Sequence, residues 1–193
     1  ESCSSIRAVA FDSKARYIAA AVDEYVSEEN GGGLLVWDIK AGKLVLETHD
    51  KYRGSDITFA PDGDLLTAGG ARCRPGRVTV RHRRDYAEGR NTFASLYAPA
   101  HVWTVVYIPG KGILTGDARG QVMLWDKRSG WLLAASEEGI ERSPSIAQAE
   151  YYLGPAILAI AVHGSLVAAG DAVGEVRMWR IIEQTNDSQT DRK

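Results

Sequence analysis

The stretch that decides the fold is VWTVVYIPGKGILTGDARGQVMLWD, residues 102–126. In it, three short segments rich in Val, Ile, Leu, Tyr and Trp alternate with turns that contain Gly, Pro and Asp. The apolar residues favour β-strands, and Pro109-Gly110 is typical of a turn because proline presets φ and glycine accepts positive φ. The stretch therefore predicts consecutive antiparallel strands joined by tight turns.

The same order of segments recurs four times along the chain. The last strand of each unit ends at a Trp-like position, and these positions are Trp37, Arg81, Trp125 and Trp179. A second marker is the apolar residue that ends the first strand of each unit, and it falls on Phe11, Phe59, Tyr107 and Val162. The first marker is spaced by 44, 44 and 54 residues. A period of about 40–45 residues with four strands per unit is what a blade of a β-propeller requires.

Residues 102–126 resemble a nearly complete Trp-Asp (WD) repeat, and a weaker form of the pattern covers about residues 6–182. The Trp-Asp dipeptide is intact in two units and altered in the other two. The intact pairs are Trp37-Asp38 and Trp125-Asp126, and the altered pairs are Arg81-His82 and Trp179-Arg180. This resemblance implies an all-β propeller of about four WD-repeat blades, each a four-stranded antiparallel sheet, with the Trp and Asp residues in structural roles.

The resemblance also divides the chain. It implies units at about 1–40, 41–84, 85–128 and 129–182, with three strands in the first unit and four in each of the others. The polar segment 183–193 offers no strand, and its composition predicts disorder. Because WD-repeat rings mostly close with about seven blades, three arrangements stay open: part of a larger propeller, a set of blades that pairs with another chain, or a small irregular ring.

Composition and charge argue against several classes of protein. With 193 residues, a net charge of −2 and 25% charged residues, the chain is typical of a globular protein and has no overall basic charge for nucleic acid. The uncharged run 151–170 is interrupted by Gly, Pro and His, so it predicts buried strands rather than a membrane span. Cys3 and Cys73 lie far apart without a CxxC spacing, which favours an intracellular location, cytoplasmic or nuclear.

The sequence contains no motif of catalysis or cofactor binding, and its four histidines are scattered one to a loop. We therefore expect no catalytic residues, no metal site and no cofactor. In the WD-repeat pattern, the residue four before the end of each inner strand lies near the entrance of the central channel. Here those positions are Arg7, Ser55, Trp103 and Leu158. Because Trp and Arg often anchor interfaces, we expect a non-catalytic scaffold or adaptor that binds other proteins of a complex, or further propeller blades, through this rim and the loops.

A second hypothesis concerns six arginines that fall close together: Arg72, Arg74, Arg77, Arg81, Arg83 and Arg84. Strand alternation would put Arg77, Arg81 and Arg83 on one face, where they could clamp a phosphate, a nucleic acid or an acidic peptide. The simpler interpretation is an exposed outer strand that its charges keep soluble. A third hypothesis, a propeller enzyme, would need carboxylates that converge in the channel, and the candidates are Asp56, Asp117 and Asp171.

Overall fold

The computed structural model describes residues 3–25, 32–50, 53–70, 75–136 and 155–181. Within these ranges the chain forms fifteen strands in four sheets and one five-residue helix. Within each sheet, neighbouring strands are antiparallel, and each strand pairs with the strand that follows it along the chain. The predicted all-β fold of about four propeller blades is therefore confirmed.

Each sheet is one blade, and its first strand is the inner one. The first blade contains β1 (Cys3–Phe11), β2 (Tyr17–Tyr25), β3 (Gly32–Asp38) and β4 (Lys43–Asp50). The second contains β5 (Arg53–Phe59), β6 (Leu65–Gly70), β7 (Gly76–Arg81) and β8 (Ala94–Ala98), with α1 (Arg83–Ala87) between its last two strands. The third contains β9 (Val102–Ile108), β10 (Gly112–Asp117), β11 (Val122–Trp125) and β12 (Leu132–Ala135). The fourth contains β13 (Ile157–His163), β14 (Leu166–Asp171) and β15 (Val176–Arg180).

The blades are offset by one strand from the units of the sequence repeat. The strand that follows the Trp-Asp position turns back and pairs with the strand that carries it, as β4 does with β3. It therefore belongs to the blade before it and not to the next unit. The described residues consequently show four, four, four and three strands, whereas the sequence pattern implied three, four, four and four.

The core lies between successive blades. Alternation along each strand sends one set of apolar side chains to each face, as the burial of every second residue of β3 illustrates. Three clusters of buried side chains result, one at each junction of neighbouring blades. At the second junction, for example, Val78 and Val80 of the second blade pack with Ile113 of the third. Burial of this apolar surface is the main stabilising contribution to such a stack.

The helix α1 contradicts the prediction that Arg83 lies on a strand. Strand β7 ends at Arg81 and the chain leaves the sheet at His82, so Arg83 belongs to the helix. The prediction that Arg83 shares a strand face with Arg77 and Arg81 is wrong for this reason. The helix instead buries Tyr86, whose hydroxyl donates to the Gly63 carbonyl at 2.6 Å and whose ring packs edge-on against Tyr17 of the first blade.

Candidate functional site

The inner strand of each blade carries a bulge at the same place. The register of β1 with β2 shifts between Ile6 and Ala8, and that of β5 with β6 shifts between Gly54 and Asp56. Corresponding shifts occur in β9 and in β13. The residues that the registers skip are Arg7, Ser55, Trp103 and Leu158. A bulge re-aims the side chain of its extra residue, so the four predicted rim residues occupy equivalent and distinctive backbone positions.

Three of these residues belong to two groups of contacting side chains, one of Arg7, Asp23 and Arg53 and one of Ser55, His101 and Trp103, and the charge of Arg53 acts on His101. We call these six residues together the rim cluster. It spans the first, second and third blades. The described contacts of Leu158 on the fourth blade do not reach the cluster, and its side chain is exposed.

The first half of the rim cluster is ionic. Arg7 donates to Asp23 Oδ2 from Nη2 at 2.7 Å and from Nε at 3.1 Å, a charge-assisted double contact. Arg53 Nε lies 3.5 Å from Asp23 Oδ1, so the second arginine approaches the same carboxylate. Asp23 is buried, whereas more than half of the Arg7 side chain is exposed. The pair thus fixes an arginine whose outer surface still faces solvent.

The second half of the rim cluster is a serine, a histidine and a tryptophan. Ser55 Oγ and His101 Nε2 are 2.6 Å apart, and the His101 and Trp103 rings lie 4.3 Å apart at a tilt of 48°. Burial, and then the nearby positive charge of Arg53, lowers the pKa of His101 from 6.5 to about 4. The imidazole is therefore neutral at pH 7, so the indole of Trp103 packs against an uncharged ring.

The Ser55–His101 contact also has the geometry of an activated nucleophile. A histidine with a pKa of about 4 is a poor proton acceptor at neutral pH. Its Nδ1 lies against Gly70, where an added methyl group would be only 2.4 Å away. Among its described contacts, His101 thus lacks the carboxylate that orients the base of a Ser-His-Asp triad. The geometry favours a rigid, preformed surface over a catalytic pair.

A half-buried aspartate links the second and third blades at the rim. Asp56, next to the bulge residue Ser55, accepts hydrogen bonds at Oδ2 from Val105 N at 2.8 Å and from Thr104 Oγ1 at 3.0 Å. Burial raises the pKa of its carboxyl, although these hydrogen bonds oppose the shift. The sequence singled out Asp56 only as a weak catalytic candidate, whereas its contacts make it a cross-link between blades.

Comparison with known proteins agrees with this architecture. No protein-family model matches the chain. The WD repeat and SOCS box-containing protein 1 of Danio rerio is 31% identical over 100 residues, which are 50% of this chain and 22% of that protein. The β-propeller domain of Swd1 (Cps50) from Myceliophteria thermophila superposes with a TM-score of 0.62 at 12% identity, over 96% of this chain and 54% of that one. The four sheets have the fold of β-propeller blades, and half of the chain is similar in sequence to a WD-repeat protein. A chain of the mitotic checkpoint complex matches with a TM-score of 0.64 at 14% identity, over 92% of this chain and 49% of that one.

The chain thus spans about half the length of these solved structures and about a fifth of the curated relative that it matches. In its third blade, the Trp-Asp pair has the structural role implied by the pattern. Trp125 Nε1 donates to Thr115 Oγ1 at 2.9 Å inside the core, and Asp126 Oδ1 accepts from Ser129 N at 2.6 Å in the following turn. In the first blade, Asp38 likewise accepts from Ala41 N at 2.9 Å. The side chains of Trp37 and Trp179 are half-buried.

The second blade accommodates an arginine where the WD-repeat pattern has a tryptophan. Arg81 is buried, donates from Nη1 to Thr79 Oγ1 at 2.5 Å, and stacks 4.7 Å from the centre of the Phe93 ring. Together with Arg53 and Arg77 it lines a cleft of about 30 Å³ between the first two blades. Because Arg77 and Arg81 are buried, the interpretation of an exposed, solubilising outer strand does not fit them. Arg72 and Arg74 lie outside the described residues.

The remaining catalytic candidates, Asp117 and Asp171, also stabilise turns within the blades. Asp117 Oδ1 accepts from the backbone N of Arg119 and Gln121, both at 2.9 Å. Asp171 Oδ1 accepts in the same way from Val173 and Glu175. No group of three His, Cys, Asp or Glu residues that could hold a metal ion occurs in the described ranges. In the same part of the chain, no helix is both long and apolar enough to cross a membrane.

Proposed function

We propose that this WD-repeat chain is a non-catalytic scaffold that binds another protein of a complex through the rim cluster. The observation that carries the proposal is the bulge in each inner strand, which sets Arg7, Ser55 and Trp103 at equivalent positions of three neighbouring strands. Arg and Trp dominate the binding energy of many interfaces because each combines a large contact area with directed hydrogen bonds.

The rim cluster is held in place before any partner binds. The carboxylate of Asp23 orients Arg7, and the His101 ring supports the indole of Trp103. Binding to side chains that are already ordered costs less conformational entropy than binding to mobile ones. The exposed outer surface of the Arg7 guanidinium favours a partner segment that brings a carboxylate to it and an apolar side chain to Trp103.

The experiment is an affinity capture from the native extract, read by quantitative mass spectrometry, with the chain and three variants. Arg7→Ala and Trp103→Ala each remove one anchor, and we expect each to reduce capture of the same partner at least about tenfold, as loss of an interface anchor does. Trp131→Ala is the matched control, because Trp131 is highly exposed in the turn before β12 and lies outside the rim cluster.

The proposal fails if Arg7→Ala and Trp103→Ala capture the partner as well as the unaltered chain does. Circular dichroism of both variants must first show the spectrum of the folded chain, because Trp103 is half-buried. Arg7→Ala is the variant less able to disturb the fold, since more than half of the Arg7 side chain is exposed and its loss leaves no cavity.

A second candidate function is anion binding by Arg53, Arg77 and Arg81. One observation favours it: Arg53, Arg77 and Arg81 line the same cleft, together with the hydroxyl groups of Thr67 and Thr79. The cavity is of water size, so a phosphate or acidic peptide would bind at its mouth. This function predicts binding to an oligonucleotide or phosphopeptide that weakens steeply with salt. Binding that persists in Arg77→Gln would contradict it.

A further inference from the structure

The junction between the second and third blades is filled by apolar side chains. The third blade directs Met123 and Trp125 toward the second blade, which meets them with Leu96. All three side chains are buried, and the indole nitrogen of Trp125 donates to Thr115 of its own blade. Apart from that one hydrogen bond, these positions contribute only apolar surface to the junction.

The junction between the first and second blades has polar residues at the same three positions. All three are buried, and all three line the cleft of about 30 Å³ between these blades. Polar side chains from two blades therefore converge where the neighbouring junction has apolar ones. By strand register, the counterpart of Met123 is Thr79, that of Trp125 is Arg81, and that of Leu96 is Thr48.

The fourth blade shows how a positive charge on this face of a blade is balanced. Arg177 lies on the corresponding face of that blade, and its Nη2 donates to Asp171 Oδ2 at 2.8 Å. By register, the counterpart of Asp171 in the second blade is Gly69, which lines the cleft together with Arg77 and Arg81. The second blade thus carries arginines on this face and has a glycine where the fourth blade has a carboxylate.

The hydroxyl groups of the cleft favour a ligand that accepts hydrogen bonds. Thr67 and Thr79 contact each other through their hydroxyl groups, and Arg81 Nη1 donates to Thr79 Oγ1 at 2.5 Å. Only one of the two hydroxyl groups donates in their mutual contact, so the hydrogen of the other is left for a further acceptor. Thr48 Oγ1 is buried and has no hydrogen-bond partner among the described residues. Because a buried hydroxyl group without a partner lowers stability, both observations favour an acceptor in the cleft.

The size and charge of the cleft limit what that acceptor can be. A volume of about 30 Å³ holds one or two particles of the size of a water molecule. A water molecule would bring two hydrogens of its own to a space lined by Arg53, Arg77 and Arg81. An anion only accepts hydrogen bonds, and the charges of the guanidinium groups attract it. A small anion therefore fits this space better than water does.

We propose that the cleft binds one monovalent anion of the size of chloride, between Arg77 and Arg81 of the second blade and Thr48 of the first. The inference rests on the cleft of the second candidate function and specifies its ligand, and it does not depend on the rim cluster. The arginines also contact other residues, and the ion is one further acceptor for their five N–H groups. In this position the ion has the role that the carboxylate of Asp171 has in the fourth blade, and it links the first two blades.

The test compares thermal unfolding in sodium chloride, sodium bromide and sodium gluconate at one ionic strength. An ion that binds only the folded state raises the melting temperature as its concentration rises. We expect this rise with chloride and with bromide, whereas gluconate is too large for the cleft and should produce none. Binding is measured independently from the width of the chloride NMR signal, which the protein should broaden. Bromide should displace the chloride and narrow the signal, and inorganic phosphate should not.

Two variants and one control locate the site. Thr48→Val removes the hydroxyl group and keeps the shape of the side chain, and Arg77→Gln removes one charge. Each should weaken chloride binding at least about tenfold, as loss of a hydrogen bond to a charged group does. In gluconate, Thr48→Val should melt no lower than the unaltered chain, because it no longer buries an unsatisfied hydroxyl group. Arg84→Gln alters a mostly exposed arginine of α1 and should keep the full effect of chloride.

Equal melting temperatures in chloride and gluconate would overturn the inference, and so would chloride binding that is unchanged in both Thr48→Val and Arg77→Gln. Displacement of chloride by inorganic phosphate as readily as by bromide would also overturn it, because the ligand would then bind at the mouth of the cleft, as the second candidate function requires. Chloride binding by a chain that binds neither an oligonucleotide nor a phosphopeptide would support the inference and remove that second candidate.

Discussion

The lowered pKa of His101 predicts that the chain loses stability in mild acid. The folded state holds this imidazole neutral, with a pKa of about 4 instead of 6.5. The unfolded state therefore binds the proton more readily, and the free energy of unfolding falls as the pH falls from about 6.5 to about 4. From these two values, the histidine should lower the free energy of unfolding by about 1 kcal/mol at about pH 5.5 and by about 3 kcal/mol at about pH 4, relative to neutral pH.

The assay is urea unfolding followed by tryptophan fluorescence at several pH values, with His101→Gln beside the unaltered chain. Glutamine can still hydrogen-bond to Ser55 but does not titrate, so the pH dependence between neutral pH and about pH 5 should flatten by the amounts given above. Burial raises the pKa of Asp56 and Asp117, so these carboxyls contribute with the opposite sign at lower pH. Their contributions are common to both proteins and cancel in the difference.

His49→Gln is the control, because the His49 side chain is mostly exposed. Identical slopes for the unaltered chain and His101→Gln would refute the reasoning, since they would mean that the imidazole is as easily protonated in the folded as in the unfolded state. They would also remove the support for an uncharged ring beneath Trp103.

Two further predictions concern the core. Trp125→Phe removes the hydrogen bond from Nε1 to Thr115 Oγ1 and should lower the free energy of unfolding by about 1–3 kcal/mol, the cost of a buried partner left unsatisfied. A double-mutant cycle with Thr115→Val should give a coupling energy that differs from zero. Additive effects of the two substitutions would contradict this hydrogen bond. Gly116→Ala should lower the free energy of unfolding by about 1–3 kcal/mol because the new methyl group would overlap Ile157. In the same unfolding assay, combination with Ile157→Val should recover part of that loss. No recovery would mean that the strain lies elsewhere.

The repeat was readable from the sequence because its signal is local and occurs four times. Each unit combines strand-forming residues with turn residues such as Pro61 and Gly63, and the chain then buries successive sheets against each other. The offset between repeat units and blades was not readable. It depends on which neighbour the strand after Asp38 pairs with, and a strand of its composition could pair with either.

The rim could be predicted only in part. The pattern singled out Arg7, Ser55 and Trp103, and the bulges give these positions a common backbone geometry. Their role in binding remains a prediction. The supporting contacts were not visible, because His101 reaches Ser55 across 46 residues and Arg53 approaches Asp23 from another blade. Such contacts leave no periodic signal in a single sequence.

The helix α1 was missed for a related physical reason. Five residues make little more than one helical turn, which is too short to produce an amphipathic pattern. Its position is fixed by Tyr86, which fills the junction between the first two blades and donates to the Gly63 carbonyl. The cluster of arginines just before it drew attention to charge, whereas the residue that fixes the position of the helix is Tyr86, two residues after the last of these arginines.

The departures from the WD-repeat pattern leave the propeller intact because the fold depends more on the fit between blades than on the Trp-Asp dipeptide. In the second blade, a buried Arg81 replaces the tryptophan, and the hydroxyl of Thr79 and the ring of Phe93 accommodate its charge. The small residues at the junctions have a different role, because they leave room for side chains of the neighbouring blade. A methyl group at Gly54 would lie 3.0 Å from the Ala21 side chain of the preceding blade, as Gly116 leaves room for Ile157. Where inner strands approach so closely, size decides which faces can pack.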